Sequence, residues 1–407
     1  RRGINKKRKN NKMPNPVNTN PSNISSNLAP QAREYFKPLN FIARWFCFYS
    51  RTKEDISPIL SKSHVPNPAL NKAPPTQTTF IAPRKIKLNE LENKWSIGIQ
   101  SARNKFNPFP IKVDPPLSIT ISKETYTITQ QLGAGTYSKV WEVTDTSGKK
   151  YALKQANIYH SQPETSSWSW ESKNHEKSLQ DYLDDTCKRL NIECPTLQIK
   201  NLIGLDKNGN ETKTKSEIRQ SLILMETVKS KTLDKSMISL NQNNKIEVLK
   251  KLCEAVIKLH ACGVIHKDLK PENILVVYNE DKSEIIDVKL IDLDFSSKVN
   301  EPKAALPCGT ERYIPPEQEK SKPFKDTETT ELERGNPSNK LLKKLYAGDD
   351  YALGKIFKDV LELEIAEDEI NKLEILKGLQ KNDPQKRKTV LDLLKSLETI
   401  NLEPSPK

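Results

Sequence analysis

Apolar and polar residues alternate along a stretch that begins near Leu117. The segment SITISKETYTITQQLGAGTYSKVWEVTDTSGKKYALKQ covers residues 118–155 and has Gly-bearing turns between its alternating runs. A period of two places successive side chains on opposite faces of a strand. The segment therefore predicts consecutive antiparallel strands with one buried face.

The pattern then changes to the period of an amphipathic helix. Apolar residues recur every three or four positions in NHEKSLQDYLDDTCKRL (174–190), in NKIEVLKKLCEAVIKLHACG (244–263) and again from Asp350 to the C-terminus. This spacing predicts helices that each bury one face. A β-rich part followed by a helical part predicts an α+β fold with two lobes.

The first 113 residues show no sustained period and are rich in Asn and Pro. They contain 21 Lys and Arg but 5 Asp and Glu, whereas the rest of the chain contains 45 basic and 47 acidic residues. The net charge of +14 therefore belongs to this N-terminal arm. Because of this composition and the missing period, we expect the arm to be mostly disordered or only loosely attached.

Two segments of the arm bear on partners. NKKRKNNK (5–12) fits a nuclear-import or phosphate-binding tag, or a solvated basic tail. FIARWFCFYS (41–50) is strongly aromatic but too short to cross a bilayer. It fits docking on the folded domain, binding of a partner, or contact with a membrane surface. The arm therefore leaves contact with a membrane or a nucleic acid open.

The six cysteines are scattered along the chain and form no C-x-x-C pair. This distribution favours neither a disulfide framework nor a zinc site, so we expect a reducing, intracellular compartment. No apolar run in the sequence reaches the roughly 18–20 residues that a membrane span needs.

Two neighbouring segments suggest a phosphate-binding site. In LGAGTYSKV, Gly133 and Gly135 lie in a turn between two predicted strands, where backbone N–H groups can approach phosphates. YALK ends at Lys154 on the next predicted strand. An ammonium group on an inward strand position is costly unless it is paired or bound to an anion.

The expected structural partner of Lys154 is Glu176 on the following helix. Leu179 and Leu183 fall three and seven residues after Glu176 and give the helix an inward face. Glu171 is the alternative, because the Glu176 register also turns a polar residue, Gln180, towards the interior.

The compact loop VIHKDLKPENILV (264–276) combines a carboxylate, a cation and an amide. A carboxylate that accepts a hydroxyl proton needs a nearby cation to steady a moving phosphoryl group, and a metal there needs an oxygen ligand. Asp268, Lys270 and Asn273 supply these three groups. A second candidate metal ligand, Asp292, ends the predicted strand of VKLIDLDFSSKV (288–299).

Taken together, these motifs resemble those of the eukaryotic-type protein kinase family, in its serine/threonine branch. In chain order, LGAGTYSKV resembles the Gly-rich loop, YALK the lysine strand, HKDLKPEN the catalytic loop and IDLD the metal motif. After these, CGTERYIPPE (308–317) resembles the end of the activation segment and DDYALG (349–354) the helix that anchors the catalytic loop. NDPQKR ends at Arg387, which stands where the family has a late Arg. The resemblance implies an arm at 1–116 and a bilobal kinase domain at 117–402, with the N-lobe at about 117–226 and the C-lobe at about 229–402.

The resemblance also implies ATP and Mg²⁺ as cofactors and a protein as substrate. Asp268, Lys270, Lys154 and Glu176 would be the catalytic residues, and Asn273 and Asp292 the metal ligands. The hinge would fall at LILMETV, with Met225 as gatekeeper. The nucleotide would contact nine residues: Leu132, Gly133, Gly135, Val140, Ala152, Lys154, Glu226, Val228 and Leu275.

Three departures from the family pattern concern regulation. Asp294 stands where the family has Gly, so it either holds the motif in one state or adds a carboxylate near the metal. Lys267 replaces the Arg that commonly receives an activation-segment phosphate, and no Ser, Thr or Tyr occurs from Lys298 to Cys308. We therefore expect activity without phosphorylation of this segment, with Glu301 as a fixed acidic substitute near Lys267.

Two spacings are unusual for the family. Glu317 and Asp349 are 32 residues apart, which is long, and Tyr351 and Arg387 are 36 apart, which is short. The second spacing leaves little room for a substrate-docking helix. The polar insert that begins at residue 318 fits either a replacement recognition element or a flexible surface loop.

The sequence thus predicts a serine/threonine protein kinase. The alternatives are an ATP-binding pseudokinase or scaffold, and a kinase-fold enzyme that transfers another group. The composition also resembles kinases that bacterial pathogens deliver into host cells, while a divergent kinase from an AT-rich eukaryote would look similar. Expected locations are the cytoplasm, a host cell or the nucleus, and nothing in the sequence indicates an obligate oligomer.

Overall fold

The structure is a computed structural model that describes residues 84–85, 111–134, 138–156, 165–236, 239–282, 284–318, 324–360 and 370–398. Strands β1 to β13 are Arg84–Lys85, Ile111–Ile121, Glu124–Ala134, Ser138–Asp145, Lys150–Ala156, Ile199–Leu205, Glu211–Thr212, Gln220–Glu226, Ser230–Thr232, Val264–Ile265, Ile274–Tyr278, Ile285–Leu290 and Ser297–Lys298. Helices α1 to α7 are Thr165–Leu190, Leu233–Ser236, Gln242–Ala261, Asp326–Glu333, Asn339–Val360, Ile370–Leu379 and Val390–Glu398.

The N-lobe is one eight-stranded sheet in the order β1-β2-β3-β4-β5-β8-β6-β7. All its strand pairs are antiparallel except β1 with β2. The alternating apolar residues that predicted these strands lie together on the buried face, as expected for a period of two. The core of this lobe includes Ile119, Ile121, Tyr126, Ile128, Trp141, Val143, Leu153, Leu222 and Leu224.

The sheet extends beyond the predicted domain boundary at 117. Strand β2 begins at Ile111, and its Leu117 pairs with Arg84 of β1. The pairing of β2 with β3 shifts register between Lys112 and Leu117, a stretch that includes two prolines. Because proline lacks an N–H group, it interrupts the ladder there, and this interruption hid the start of the strand from the alternation pattern. The segments 5–12 and 41–50 lie outside the described residues.

The C-lobe is built around helix α3, which contacts α5, α7 and β12. Its apolar face is fully buried and contributes Leu249, Leu252, Val256 and Leu259 to the larger core cluster. Two residues of α1, Leu179 and Leu183, belong to the same cluster, so the helix that carries Glu176 is packed onto the C-lobe core. This arrangement confirms the two-lobed α+β prediction. No helix in the described part of the chain is both long and apolar enough to span a bilayer.

The insert between Glu317 and Asp349 is largely helical where the structure describes it. Helix α4 lies within it, and α5 begins at Asn339, ten residues before Asp349. Five apolar residues of that first part of α5 are buried: Leu341, Leu342, Leu345, Tyr346 and Ala347. The interpretation as a flexible loop is therefore wrong for 324–348. Its many charged residues masked an amphipathic pattern that buries one side only.

The short spacing after Tyr351 contains one described helix, α6, followed by a 3₁₀ turn at Pro384–Lys386. Arg387 then turns inward and is 3% exposed. Its two terminal nitrogens each donate to one carboxylate oxygen of Glu317 at 2.8 Å. The same guanidinium donates to the carbonyls of Ala347 and Lys381. This bidentate pair fastens the end of the activation segment to the C-lobe.

Removing this buried cation should destabilise the C-lobe. We expect Arg387→Met to lower the free energy of unfolding by about 3 kcal/mol, because Glu317 would keep a charge without its partner in a protein interior. Lys386→Met is the matched control, since Lys386 is exposed and lies 3.9 Å from Asp383. Urea denaturation checks both variants. Equal stability of Arg387→Met and the control would contradict the expectation.

Candidate active site

Asp268 lies in the loop between β10 and β11 and is 3% exposed. Lys270 Nζ donates to its Oδ2 at 2.9 Å. The amide nitrogen of Asn273 donates both to the Asp268 carbonyl at 2.9 Å and to Oδ2 at 3.1 Å. The loop therefore holds the three residues in the compact arrangement that their sequence spacing predicted.

The other oxygen of Asp268 is held by the activation segment. Thr310 donates to Oδ1 from its backbone N–H at 2.8 Å and from its hydroxyl at 2.7 Å. Lys270 also donates to the Thr310 hydroxyl at 2.9 Å. Gly309 permits this approach: it has φ +121°, and a Cβ there would lie 2.5 Å from the Lys267 carbonyl oxygen. A carboxylate with this many donors is oriented in one direction.

Asp349 of α5 anchors the same loop from behind. Its buried carboxylate accepts the backbone N–H groups of His266 at 2.8 Å and of Lys267 at 2.9 Å, and it contacts His260 Nε2 at 2.9 Å. Lys267 has φ 69°, a left-handed conformation that a residue other than glycine keeps only where its surroundings impose it. Burial alone would raise the pKa of Asp349, but the hydrogen bond and charge of His260 lower it.

Lys154 on β5 is 7% exposed and meets two carboxylates. Its Nζ lies 3.0 Å from both oxygens of Glu176 and 2.7 Å from Asp292 Oδ1. The alternative partner, Glu171, instead pairs on the surface with Lys215 at 2.8 Å. Burial alone would lower the pKa of Lys154, but the charges of Asp292, Asp294 and Glu176 raise it well above its usual range. The ammonium therefore stays charged inside the protein.

Gln180, the polar residue that the Glu176 register turns inward, is buried and hydrogen-bonded. The Thr196 hydroxyl donates to its Oε1 at 2.9 Å, and its Nε2 donates to Asp184 at 2.9 Å. A buried amide is tolerated when it has partners, so this position does not conflict with an inward helix face.

The two acidic residues of the metal motif have different backbones and different partners. Asp292 has φ 67° and ψ 70°, whereas Asp294 lies in a 3₁₀ turn, Leu293–Phe295, and has no positive φ. One oxygen of Asp294 forms an ion pair with Lys173 of α1 and lies 3.8 Å from Lys154 Nζ. Burial would raise the pKa of Asp294, but Lys154 and Lys173 lower it below its usual range.

Lys173 is the residue of this site that the sequence reading missed. It is 4% exposed, and its Nζ also lies 3.1 Å from Glu176 Oε2. The available signal was its position one helical turn before Glu176, on the same inward face.

The donor set around Asn273 and Asp292 fits a hard divalent cation. The amide nitrogen of Asn273 is used by Asp268, which leaves its oxygen for a cation, and the Asp292 side chain is 37% exposed. The two residues are held close together, because the N–H of Ile291, the neighbour of Asp292, donates to the Asn273 carbonyl at 3.0 Å. Amide and carboxylate oxygens are the ligands that Mg²⁺ prefers. When bound, Mg²⁺ would neutralise phosphate charge at this point.

The predicted nucleotide contacts lie on neighbouring strands of the N-lobe and on β11. Gly133 pairs with Val140, and Ala152 pairs with the predicted gatekeeper, Met225. Space next to Gly133 is open, because a Cβ there would meet nothing within 4 Å. Four apolar members of the set are only half-buried: Leu132, Val140, Val228 and Leu275. Gly135 lies outside the described residues.

Two backbone groups of the predicted hinge already have hydrogen-bond partners within the protein. The N–H of Glu226 already donates to the Gln198 carbonyl at 2.9 Å, and the Glu226 side chain accepts the Gln198 N–H at 2.8 Å. The Val228 carbonyl accepts a hydrogen bond from Ser230 Oγ at 3.2 Å. Contact of Glu226 with a nucleotide would therefore use its carbonyl.

Glu301 is not the acidic substitute expected beside Lys267. Its carboxylate pairs with Lys298 at 2.7 Å, while Lys267 Nζ donates to the carbonyl of Lys303 at 2.7 Å. Glu301 begins the 3₁₀ turn Pro302–Ala305, and this turn brings a backbone carbonyl, rather than the Glu301 side chain, to the lysine. The activation segment is thus attached to Lys267 through its main chain.

The depressed pKa of Asp349 gives a pH-dependent prediction. A carboxyl group with a lowered folded pKa contributes stability above its unfolded pKa, about 3.9, and loses it as the pH falls through the folded value. We expect Asp349→Asn to cost about 3 kcal/mol at pH 7, since it removes a buried charged acceptor. The cost should shrink below about pH 4.

Urea denaturation across this pH range checks the expectation, with Asp181→Asn as control because Asp181 is an exposed residue of α1. A cost for Asp349→Asn that stays constant from pH 7 to the acid range would contradict the assignment.

The sequence is similar to those of known protein kinases. The dual specificity protein kinase Ttk of Danio rerio is 28% identical over 243 residues, which are 59% of this chain and 21% of that protein. The calcium/calmodulin-dependent protein kinase type 1 of Caenorhabditis briggsae is 28% identical over 219 residues, 52% of this chain and 53% of that protein. The chain thus spans about a fifth of the first relative and half of the second.

A solved structure described as the ROP18 kinase domain in complex with AMP-PNP and sucrose is 17% identical, with a TM-score of 0.48. That match covers 76% of this chain and 90% of the other. The family model of the protein kinase domain matches residues 126–332, which is half of the chain and includes Lys154, Asp268 and Asp292. On this match, the chain belongs to the eukaryotic-type protein kinase family.

Proposed function

We propose that the chain is an active serine/threonine protein kinase that transfers the γ-phosphate of ATP to hydroxyl groups of a protein substrate. The observation that carries this proposal is the environment of Asp268. Its carboxylate is oriented by Lys270, Asn273 and Thr310, all within 3.1 Å. The chain also retains the Lys154–Glu176 pair, with the nearest contacts at 3.0 Å.

The residues divide the work of phosphoryl transfer. Asp268 would orient the substrate hydroxyl and accept its proton. The substrate hydroxyl would then replace the Thr310 hydroxyl as a donor to the Asp268 carboxylate. Lys270 lies 2.9 Å from the Asp268 carboxylate, so its charge would stabilise the moving phosphoryl group. Lys154, fixed by Glu176, would orient the α- and β-phosphates.

The serine/threonine assignment has support from the activation segment. Thr310 and Lys270 share a hydrogen bond beside Asp268, and both belong to motifs, DLKPEN and CGTERY, that resemble the serine/threonine branch.

A pseudokinase is the main competing function. It would keep the fold for binding and would be free to lose the polar residues of the site. Instead, Lys154, Asp268, Asn273 and Asp292 are all present, and each has a hydrogen-bond partner in the site. A buried carboxylate and a buried ammonium are costly to keep, which favours a catalytic use for them.

Substitution of Asp268 tests the proposal directly. With radiolabelled ATP and a generic basic protein as substrate, we expect Asp268→Asn to lower kcat by about 100-fold or more, because the general base is lost. Binding of a fluorescent ATP analogue should remain within about threefold. Glu280→Gln is the control, since Glu280 is an exposed partner of Lys229.

The outcomes separate the candidate functions. Nucleotide binding without transfer by the wild-type chain would indicate a pseudokinase. Mass spectrometry of the product distinguishes phosphate from any other transferred group, and phosphoamino-acid analysis distinguishes Ser and Thr from Tyr.

The second part of the proposal is activity without phosphorylation of the activation segment. The main-chain attachment of Lys267 to the Lys303 carbonyl, at 2.7 Å, supports it because this contact needs no phosphate. We expect phosphatase-treated protein to keep its kcat within about twofold of mock-treated protein. Loss of activity that traces to a phosphorylation site within 292–317 would refute this part.

A further inference from the structure

The metal motif of this chain carries an additional charged group, Asp294, at the position where the family has Gly. Its side chain does not point to solvent. One carboxylate oxygen forms an ion pair with Lys173, and the same oxygen lies 3.8 Å from Lys154 Nζ. Asp294 therefore contacts helix α1, at a residue 121 positions before it in the chain.

Lys173 depends on this contact. Its side chain is 5% exposed, and its described partners are Glu176 Oε2 at 3.1 Å and Asp294. An ammonium group in the interior is costly unless carboxylates surround it. Lys173 and Asp294 each supply the charge that makes burial of the other acceptable.

The backbone of the motif suits an aspartate at 294. The left-handed residue is Asp292, whereas Asp294 lies in the turn Leu293–Phe295 without a positive φ. An L residue fits that conformation without strain. In this conformation, position 294 therefore does not need the glycine that the family has there.

Two lysine residues, Lys154 of β5 and Lys173 of α1, connect α1 with the metal motif through ion pairs. Lys154 joins Glu176 to Asp292, and Lys173 joins Glu176 to Asp294. Helix α1 also packs in the core, and its His175 Nε2 lies 2.8 Å from the Ser296 carbonyl oxygen. The ion pair of Lys173 adds a charged attachment one helical turn before Glu176 and restrains the rotation of the helix next to Lys154.

We propose that Lys173 and Asp294 are positioning residues that lock α1 and the metal motif together, so that Glu176 and Asp292 stay in place around Lys154. This inference rests on the proposed kinase activity. This lock would hold Glu176 and Asp292 in position without any modification of the activation segment.

A direct role of Asp294 as a metal ligand is the competing interpretation. Ligand atoms of Glu176, Asp292 and Asp294 lie within 4.8 Å of one another, and Asp294 Oδ1 has no hydrogen-bond partner among the described residues. However, Asp294 is paired with the buried Lys173 and is less exposed than Asp292, at 19% against 37%, so a cation would reach Asp292 more easily. The contacts therefore favour the ion pair.

A double-mutant cycle tests the lock, with the full chain carrying Lys173→Met, Asp294→Asn or both. We expect each single substitution to lower kcat about tenfold at saturating ATP and Mg²⁺, with KM for ATP changed by less than threefold. The double variant should be no more than about twofold slower than the slower single variant, because one interaction is lost in all three. The Mg²⁺ concentration for half-maximal activity should stay within twofold.

Hydrogen exchange supplies a readout that does not need activity. Amides of 165–190 should exchange about tenfold faster in both single variants than in the wild type, while those of 242–261 should not change. Glu171→Gln is the matched control, because it breaks an exposed ion pair with Lys215 on the same helix. It should alter neither kcat nor exchange.

Each result decides for or against the lock. The lock would be overturned if the single substitutions left kcat unchanged, or if their effects on kcat added up in the double variant. A raised Mg²⁺ requirement in Asp294→Asn but not in Lys173→Met would make Asp294 a metal ligand and also overturn it. If the wild-type chain transfers no phosphate, the proposed function fails by itself. The lock is then upheld by faster exchange of 165–190 in both single variants and rejected by unchanged exchange.

Discussion

Burial of the Lys154 ammonium is the constraint on which the geometry of the site depends. The side chain extends from a central strand into the interior, where its charge is stable only among carboxylates. One carboxylate comes from helix α1 and another from the end of β12, so a single cation draws together elements that are far apart in the sequence. The need to neutralise one charge thus brings Glu176 and Asp292 to the same point.

A comparable constraint organises the other side of the cleft. Backbone N–H groups of the catalytic loop need an acceptor, and Asp349 provides it from α5. Arg387 reaches the same helix through the Ala347 carbonyl and also holds Glu317. Helix α5 therefore connects three parts of the C-lobe: the loop that carries Asp268, the segment that ends at Glu317, and the helical insert.

Much of this arrangement could be predicted from local sequence. Alternation identified the strands, and the inward face set by Leu179 and Leu183 selected Glu176 over Glu171. The spacing within 264–276 brought Asp268, Lys270 and Asn273 together because all three lie on one short loop.

The parts that could not be predicted depend on contacts between distant segments. The partner of Lys267 is a backbone carbonyl that only the folded activation segment presents. The ion pair of Lys173 with Asp294 joins residues 121 positions apart, and neither residue indicates the other in the sequence. Proline and surface charge, at the start of β2 and in the insert, concealed regular structure from patterns that read only neighbouring residues.

The buried pair of Lys173 and Asp294 also constrains how this sequence can change. A mutation at either position alone leaves the other charge in the interior with one ion-pair partner fewer, so selection should act against it, while a simultaneous exchange to two neutral residues removes the cost. Among descendants of this chain the two positions should therefore vary together. A return to the glycine of the family pattern at 294 should occur only in lineages that have also lost the lysine at 173.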